Sequence, residues 1–301
     1  MICKTRHVLA ALAVIGVASI GPIDLVYGQK VSIGGSTTVL PIVAEAIKEY
    51  RPLHPGSEFV LGGGGSGNGI KAAAAGAVEI GMSSRALKEK EKAGGLIPVT
   101  IGYDGIVLVV HARNPLQSVT SRQVADIYTG AITNWKELGG GDAPIKVIST
   151  NERHGTFDGF REHFHLEARP EGQEGGGKYL SFKKSGGEFG SVKALALDGN
   201  EAVLAAMMTK PNAFAYTSLG AALRVLAAGR APVKMLDLDG RSPSVAAVLD
   251  GTWPVIRPLL VLTLGSPQGE AKAFIDFLTS SGGQQIVERV GYIPLAPAKG
   301  R

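Results

Sequence analysis

"EFVLGGGGSGNGIKAAAAGAVEIGM", Glu58–Met82, decides how the rest of the chain reads. Its four consecutive glycines, Gly62–Gly65, fit a slack linker, a nucleotide-cofactor loop or a cradle for a small anion. Flexible linkers are Gly/Ser-rich and flanked by exposed polar sequence. Here a short apolar run of strand type precedes the glycines, "GIKAAAAGA" of helical period follows them, and "EIGM" restores the strand pattern. Strand, glycine loop, helix and strand in that order are the signature of a βα unit in a parallel sheet.

The alternation continues in both directions. "VSI" and "VLPIVAEAIKEY" come before, and "ALKEKEKA" and "GIVLVV" come after. Beyond "HARNP" the pattern restarts with "TSRQVADIYTG", where Thr120 and Gln123 have capping-box spacing, followed by "IKVIST" and "TFDGFREHF". Pro170–Gly187 reads as a glycine-rich surface excursion, and Val192–Leu197 and Glu201–Met208 read as helical. "AFAY", "VKML" and "VIRPLLVLTL" read as strands, and "GEAKAFIDFLTS" and "SGGQQIVERVGYIPL" as helices covering a sheet. Two long apolar strands, Ile106–Val110 and Val255–Leu264, frame the middle of the chain. If both cross between lobes, the result is an α/β clamshell with its ligand cleft between the lobes. The expected division is a first, discontinuous lobe of residues 29–105 plus 262–301, and a second lobe of residues 106–261.

Residues 1–28 are set apart. Lys4, Arg6 and His7 precede a 13-residue apolar run, Val8–Ile20, and small residues follow before Gln29. That is the pattern of a secretory signal peptide cleaved near Gly28, with an apolar run too short to span a bilayer. A periplasmic protein is expected. Cys3, the only cysteine, lies ahead of the apolar run and so is not the acylated cysteine of a lipoprotein signal. A mature chain without cysteine has no disulfide staples, thiolate nucleophile, iron–sulfur cluster or thiolate zinc site. The net charge of +5 becomes +4 without Lys4, Arg6 and Asp24. That excess is spread along the chain without a basic run. It suits anionic ligands or is ordinary surface charge, and it gives no footprint for nucleic acid.

Four strand-to-helix junctions share one chemistry: "GGSTTVLP" (Gly34–Pro41), "GGGGSGNGI" (Gly62–Ile70), "GMSSRA" (Gly81–Ala86) and "STNERHGTF" (Ser149–Phe157). Each brings hydroxyls or small residues to a helix start, where free backbone N–H groups and the helix dipole favour an anion. In parallel sheets such junctions lie at the carboxyl edge, where ligands bind. Taken singly, Ser36, Thr37, Ser84 and Thr156 are better read as N-caps. Four junctions of one kind point instead to a small dehydrated oxyanion, with Arg85 and Arg153 as the cations nearby. A polyanion would call for a basic surface that these junctions lack.

At this point the residues resemble a known family. "IGGSTTVLPIVAEAIKEY", "GGGGSGNGIKAAAAGAVEIGMSSRALKEKE", "TGAITNWKELGG" and "GGQQIVERVGYIPL" look like segments of the phosphate-binding proteins of phosphate-specific (Pst) ABC importers, in the same order. The similarity covers nearly the whole mature chain. It implies the type II periplasmic binding protein fold, inorganic phosphate as ligand, an inner-membrane ABC permease as partner, a monomer, and no cofactor, metal or catalysis. The family's phosphate contacts carry over to Ser36, Thr37 and Thr38 at the first junction, Ser66 with Gly67 at the second, and Ser84 with Arg85 at the third. The fourth junction in the family reads R-E-x-G-S-G-T, and this chain departs from it. Aligned on Gly155 and Thr156, His154 replaces the serine, Arg153 a glycine and Thr150 the arginine. Arg153 is the candidate for the displaced charge. His154 either donates to the anion or packs beside it. Asp104 is the candidate acceptor for the O–H of protonated phosphate, its alternative being a hinge or capping aspartate.

The same residues bear on other readings. Gly62-x-Gly64-x-x-Gly67, with Glu79 further on, matches a dinucleotide fingerprint, but it sits in the second βα unit. Ser66 in "GGSGN" lacks the closing glycine of a nucleophile elbow. His163 and His165 in "HFH" diverge if they lie on a helix. Binding of sulfate, molybdate or tungstate stays open because of the altered fourth junction, as does a phosphate-sensing or surface role on the same fold.

Overall fold

The computed structural model describes residues 30–229 and 232–295. The expected signal peptide lies outside them. The chain opens with β1 (Lys30–Gly35), α1 (Leu40–Tyr50), β2 (Glu58–Gly62), α2 (Ser66–Ala74), β3 (Ile80–Ser83), α3 (Glu89–Ala93) and the long β4 (Leu96–His111). The middle adds β5 (Ser118–Val119), α4 (Ser121–Thr129), β6 (Lys146–Thr150), α5 (Gly155–His163), β7 (Leu166–Glu174), β8 (Gly177–Lys184), β9 (Lys193–Leu197), α6 (Asn200–Thr209), β10 (Ala213–Ser218) and α7 (Leu219–Ala227). β11 (Val233–Met235), β12 (Asp237–Leu238), α8 (Val245–Leu249), β13 (Ile256–Leu264), α9 (Gly269–Thr279) and α10 (Ser281–Arg289) follow. Among the described residues no helix is long and apolar enough to cross a membrane.

The principal sheet runs β2-β1-β3-β13-β4-β10-β6-β9-β8-β7, with β11 also on β4. β1 pairs parallel with β2 and β3, and β6 pairs parallel with β10 and β9, so the ends of these strands point their following loops to one edge in each half. β4 joins the halves. Its first part, Leu96–Gly105, pairs with β13, and Ile106–Val110 then pairs with β10. The apolar runs that look like crossing strands in the sequence are therefore a 16-residue β4 and its antiparallel partner β13. Buried side chains gather into two large cores. One is built on β1, β3, α1, α9 and α10, the other on β6, β10, α4, α5 and the second half of β4.

Local sequence explains most elements. α1 buries Ile42, Val43, Ala46, Ile47 and Tyr50, a helical stripe against the first core. α4 starts with the expected capping box: Thr120 Oγ1 accepts from Gln123 N, and Gln123 Oε1 accepts from Thr120 N. In the second core Phe160 stacks on Tyr216 at 3.8 Å. The Tyr216 hydroxyl reaches Ser149 and Thr150 at the end of β6, which fixes the base of the fourth junction.

Two segments differ from the sequence reading. Residues 170–187 are not an excursion but most of the β7–β8 hairpin at the sheet edge, turning at Gly175 and Gly176, both with positive φ. Residues 193–197 form β9, not a helix. "KALAL" buries its two alanines alternately between β6 and β8, and the cross-strand pairing outweighs the helical preference of alanine.

Gly69 on α2 shows how tightly the first half is built. A Cβ there would lie 2.5 Å from the Met82 carbonyl oxygen and 2.7 Å from Gly35 Cα. In a helix interior Gly→Ala ordinarily stabilises by roughly 1 kcal/mol. Here Gly69→Ala is expected to destabilise by about 1–3 kcal/mol through overpacking against backbone. Thermal unfolding checks the sign: a melting temperature equal to or above that of the parent chain would contradict this packing.

Candidate functional site

The four junctions meet. Ser36 and Thr38 follow β1, Ser66 opens α2, Ser84 follows β3, and Gly155 and Thr156 open α5 from the other half. Ser36, Thr38, Ser66, Ser84 and Thr156 are all buried. Backbone N–H groups from both halves converge on one oxygen: Ser66 Oγ accepts from Ser84 N at 3.0 Å and from Gly155 N at 3.2 Å. With those two bonds accepted, the Ser66 hydroxyl donates to Ser84 Oγ, 3.2 Å away. Ser36 Oγ accepts from the N–H groups of Thr38 and Val39, so it caps its own turn.

A guanidinium that sequence reasoning did not single out stands in this cluster. Arg257, 3% exposed, donates through Nη1 to Thr156 Oγ1 (2.8 Å) and Ser84 Oγ (3.2 Å), and through Nη2 to Thr38 Oγ1 (3.2 Å). Its counter-charge is Asp104, which is fully buried. Asp104 Oδ2 accepts from Arg257 Nη2 at 2.8 Å and Nε at 3.1 Å, and Oδ1 accepts from Gly220 N. An isolated ion here would be unfavourable by several kcal/mol, which the paired charge and the full set of hydrogen bonds offset. Asn200 completes the cluster, donating to Thr38 Oγ1 and accepting from Thr156 Oγ1, Thr217 Oγ1 and Ser218 N. One signal for Arg257 was present in the sequence: a lone cation in the apolar strand "VIRPLLVLTL" is either exposed at an edge or paired inside.

The two arginines expected near the anion are engaged elsewhere. Arg85 does not face the hydroxyls. Its Nη1 and Nη2 are bound by Glu91, and its Nε lies 2.8 Å from Asp158 Oδ2. Arg153 is half exposed and reaches Asp198, while its carbonyl accepts from Gly67 N at 3.0 Å. Asp104, read as an acceptor for the ligand, is the partner of Arg257.

His154 packs beside the cluster and bridges the halves. Nε2 lies 2.7 Å from Asp198 Oδ1, and Nδ1 lies 3.2 Å from Thr37 Oγ1. A carboxylate only accepts, so Nε2 carries the proton and Nδ1 accepts from the threonine hydroxyl. Burial pushes His154 below its usual value of 6.5, more than its bond to Asp198 raises it, and the ring is neutral at pH 7.

The glycine loop has a geometric reason. Gly65, at φ +93°, would place a Cβ 2.4 Å from the Arg153 carbonyl oxygen, and a Cβ on Gly155 would lie 2.6 Å from Ser84 Oγ. Side chains at these two positions would hold the halves apart. Gly67 tolerates a Cβ, 3.7 Å from the same carbonyl. Glu79, the acidic residue of the fingerprint, accepts from Ser32 N. His163 ends α5 and His165 follows in a left-handed conformation. Among the described residues no cluster of three metal-ligating side chains occurs.

Two α/β halves joined by crossing strands, with backbone and hydroxyl donors from both meeting in a buried site, define a two-lobed binding protein. Residues 25–281 match the PBP superfamily domain, and the chain belongs to that superfamily. Its sequence is 27% identical over 264 residues to the phosphate-binding protein PstS of Borreliella burgdorferi, covering 87% of this chain and 89% of that one. A substrate-binding protein of Clostridium perfringens solved with bound phosphate is 35% identical, with a TM-score of 0.76 over 89% of this chain and 100% of that chain. An ABC-type phosphate transport receptor from Vibrio cholerae is 27% identical, with a TM-score of 0.68 over 88% and 100%.

Asp104→Asn leaves a buried guanidinium without a counter-charge and is expected to lower the unfolding free energy by about 3–5 kcal/mol. Urea unfolding without added anion reads this, and a loss below about 1 kcal/mol would mean the charge is compensated elsewhere. For His154 the folded-state pKa is lowered. The stability it contributes is therefore fully present above 6.5 and lost as pH falls below that value. Unfolding free energy should decrease from about pH 7.5 to about pH 5, and His154→Gln should reduce that decrease.

Proposed function

We propose that this chain captures inorganic phosphate between its two lobes and delivers it to an ABC importer. The observation that carries this reading is the buried Arg257 guanidinium among hydroxyls and N–H groups supplied by four junctions, three from one half and one from the other. Donors that bind one another here are the donors a tetrahedral oxyanion takes: Thr38, Ser66, Ser84, Thr156, the N–H groups of Ser84 and Gly155, and Arg257. The relatives named for phosphate favour phosphate over sulfate, molybdate or tungstate. Ser36, Thr37, Gly67 and His154 shape the walls of the site. Arg85, Asp104 and Arg153 act through their own ion pairs.

The lobes are read as residues 29–105 with 262–301, and 106–261. An anion that bridges both binds the closed state better than the open one and shifts the population toward it. The protein works as an exported periplasmic monomer, its closed surface recognised by the permease, and it catalyses nothing.

Titration calorimetry on refolded, ligand-stripped protein with phosphate, sulfate and molybdate tests the reading. Phosphate should bind with Kd of about 1 μM or tighter and sulfate at least about tenfold more weakly. Ser66→Ala should weaken phosphate by roughly 10–100-fold, the worth of one hydrogen bond to a charged ligand, and should lower the unfolding free energy by about 1–3 kcal/mol, because the buried N–H groups of Ser84 and Gly155 lose their acceptor. Absence of phosphate binding by the parent protein would overturn the proposal.

A further inference from the structure

Arg85 lies outside the hydroxyl cluster, and its surroundings form a second connection between the halves. Glu91, from the same half, holds the guanidinium in a fork, Oε2 to Nη1 at 2.8 Å and Oε1 to Nη2 at 2.9 Å. Nη1 also donates to the Ala86 carbonyl, and Ser83 Oγ bonds the backbone N–H and carbonyl of Arg85. The remaining edge, Nε, lies 2.8 Å from Asp158 Oδ2 in the first turn of α5, across the cleft. The side chains of Arg85, Glu91 and Asp158 are 8%, 16% and 12% exposed, so solvent screens the three charges only in part.

The two contacts of the guanidinium differ in kind. The fork to Glu91 is bidentate and aligned, the geometry that fixes an arginine. The contact to Asp158 is close, but the Nε–H is not aligned along it, so attraction between charges holds it. Glu91 thus presents one edge of Arg85 in advance, and little side-chain freedom is lost when Asp158 arrives. Lobe separation leaves Arg85 with Glu91 and parts it from Asp158, which stays near the dipole at the start of its helix. None of the contacts that hold the clasp involves Thr38, Ser66, Ser84 Oγ, Thr156 or Arg257.

We infer that Arg85, Glu91 and Asp158 form an electrostatic clasp that closes across the cleft and sets the open–closed balance, with Asp158 as a positioning residue for anion retention. The retention part rests on the phosphate-binding reading, and the closure part does not. A clasp made only in the closed state slows opening, so its effect falls on release and not on capture.

The test uses Asp158→Asn, which keeps shape and removes charge, and Asp158→Glu, which restores charge. Spin labels at Lys71 and Lys136, one exposed position in each half, report the interlobe distance without ligand. Stopped-flow release of phosphate reports retention. Asp158→Asn should lengthen the mean distance and speed release about tenfold, with association within about threefold of the parent. Asp158→Glu should recover part of both. Identical distance distributions in the parent and Asp158→Asn would overturn the clasp, as would an unchanged release rate in a parent that binds phosphate. A parent that binds no phosphate would instead overturn the ligand assignment, and the distance comparison alone would then decide the clasp.

Discussion

Arg257 carries a full positive charge at a position almost closed to water, and the arrangement of the cleft follows from keeping that charge satisfied. Asp104 supplies the opposite charge from β4, the strand paired with the one that bears Arg257. The remaining guanidinium donors need acceptors, and Thr38, Ser84 and Thr156 provide them from three separate loops in two halves. Removing any one of these loops would leave a buried donor unmatched. A site designed to stay closed and empty would more simply use apolar side chains. A cation surrounded by neutral hydroxyls, with one paired counter-charge, is the arrangement on which the proposed anion binding rests.

Backbone proximity is the second constraint. The halves touch through Gly65 and Gly155, where a single Cβ would meet a carbonyl or a hydroxyl oxygen below 3 Å. Around this contact, His154 to Thr37, Asn200 to Thr38, and Arg85 to Asp158 each join one half to the other. The connections differ in their response to conditions. The neutral histidine depends on pH, whereas the amide does not titrate and the ion pair depends on ionic strength.

Much of the architecture was legible beforehand. The alternation of short apolar runs with helical stripes gave the βα units, and Thr120 with Gln123 marked the start of α4. The parallel pairing of β1 with β2 and β3, and of β6 with β9 and β10, then brings the four junctions to the cleft. The edge hairpin β7–β8 and strand β9 were not legible, because glycine-rich and alanine-rich sequences have little preference of their own and take the structure their neighbours impose. Cations misled for a similar reason. Arg85 and Arg153 stand next to site residues in sequence, but a long side chain reaches about as far as the nearest carboxylate allows, and each found one.

By itself the sequence determined the alternation, the junction chemistry and the glycines at Gly62–Gly65, because these depend on residues near one another in the chain. The tertiary structure alone decided which charge occupies the site, since Arg257 and Asp104 are 153 positions apart and meet only when β13 pairs with β4. It likewise decided that Asp158 faces Arg85, that His154 remains neutral between Thr37 and Asp198, and that Gly65 is a point of contact. Burial and pairing set the state of a charged group, and both are properties of the folded chain.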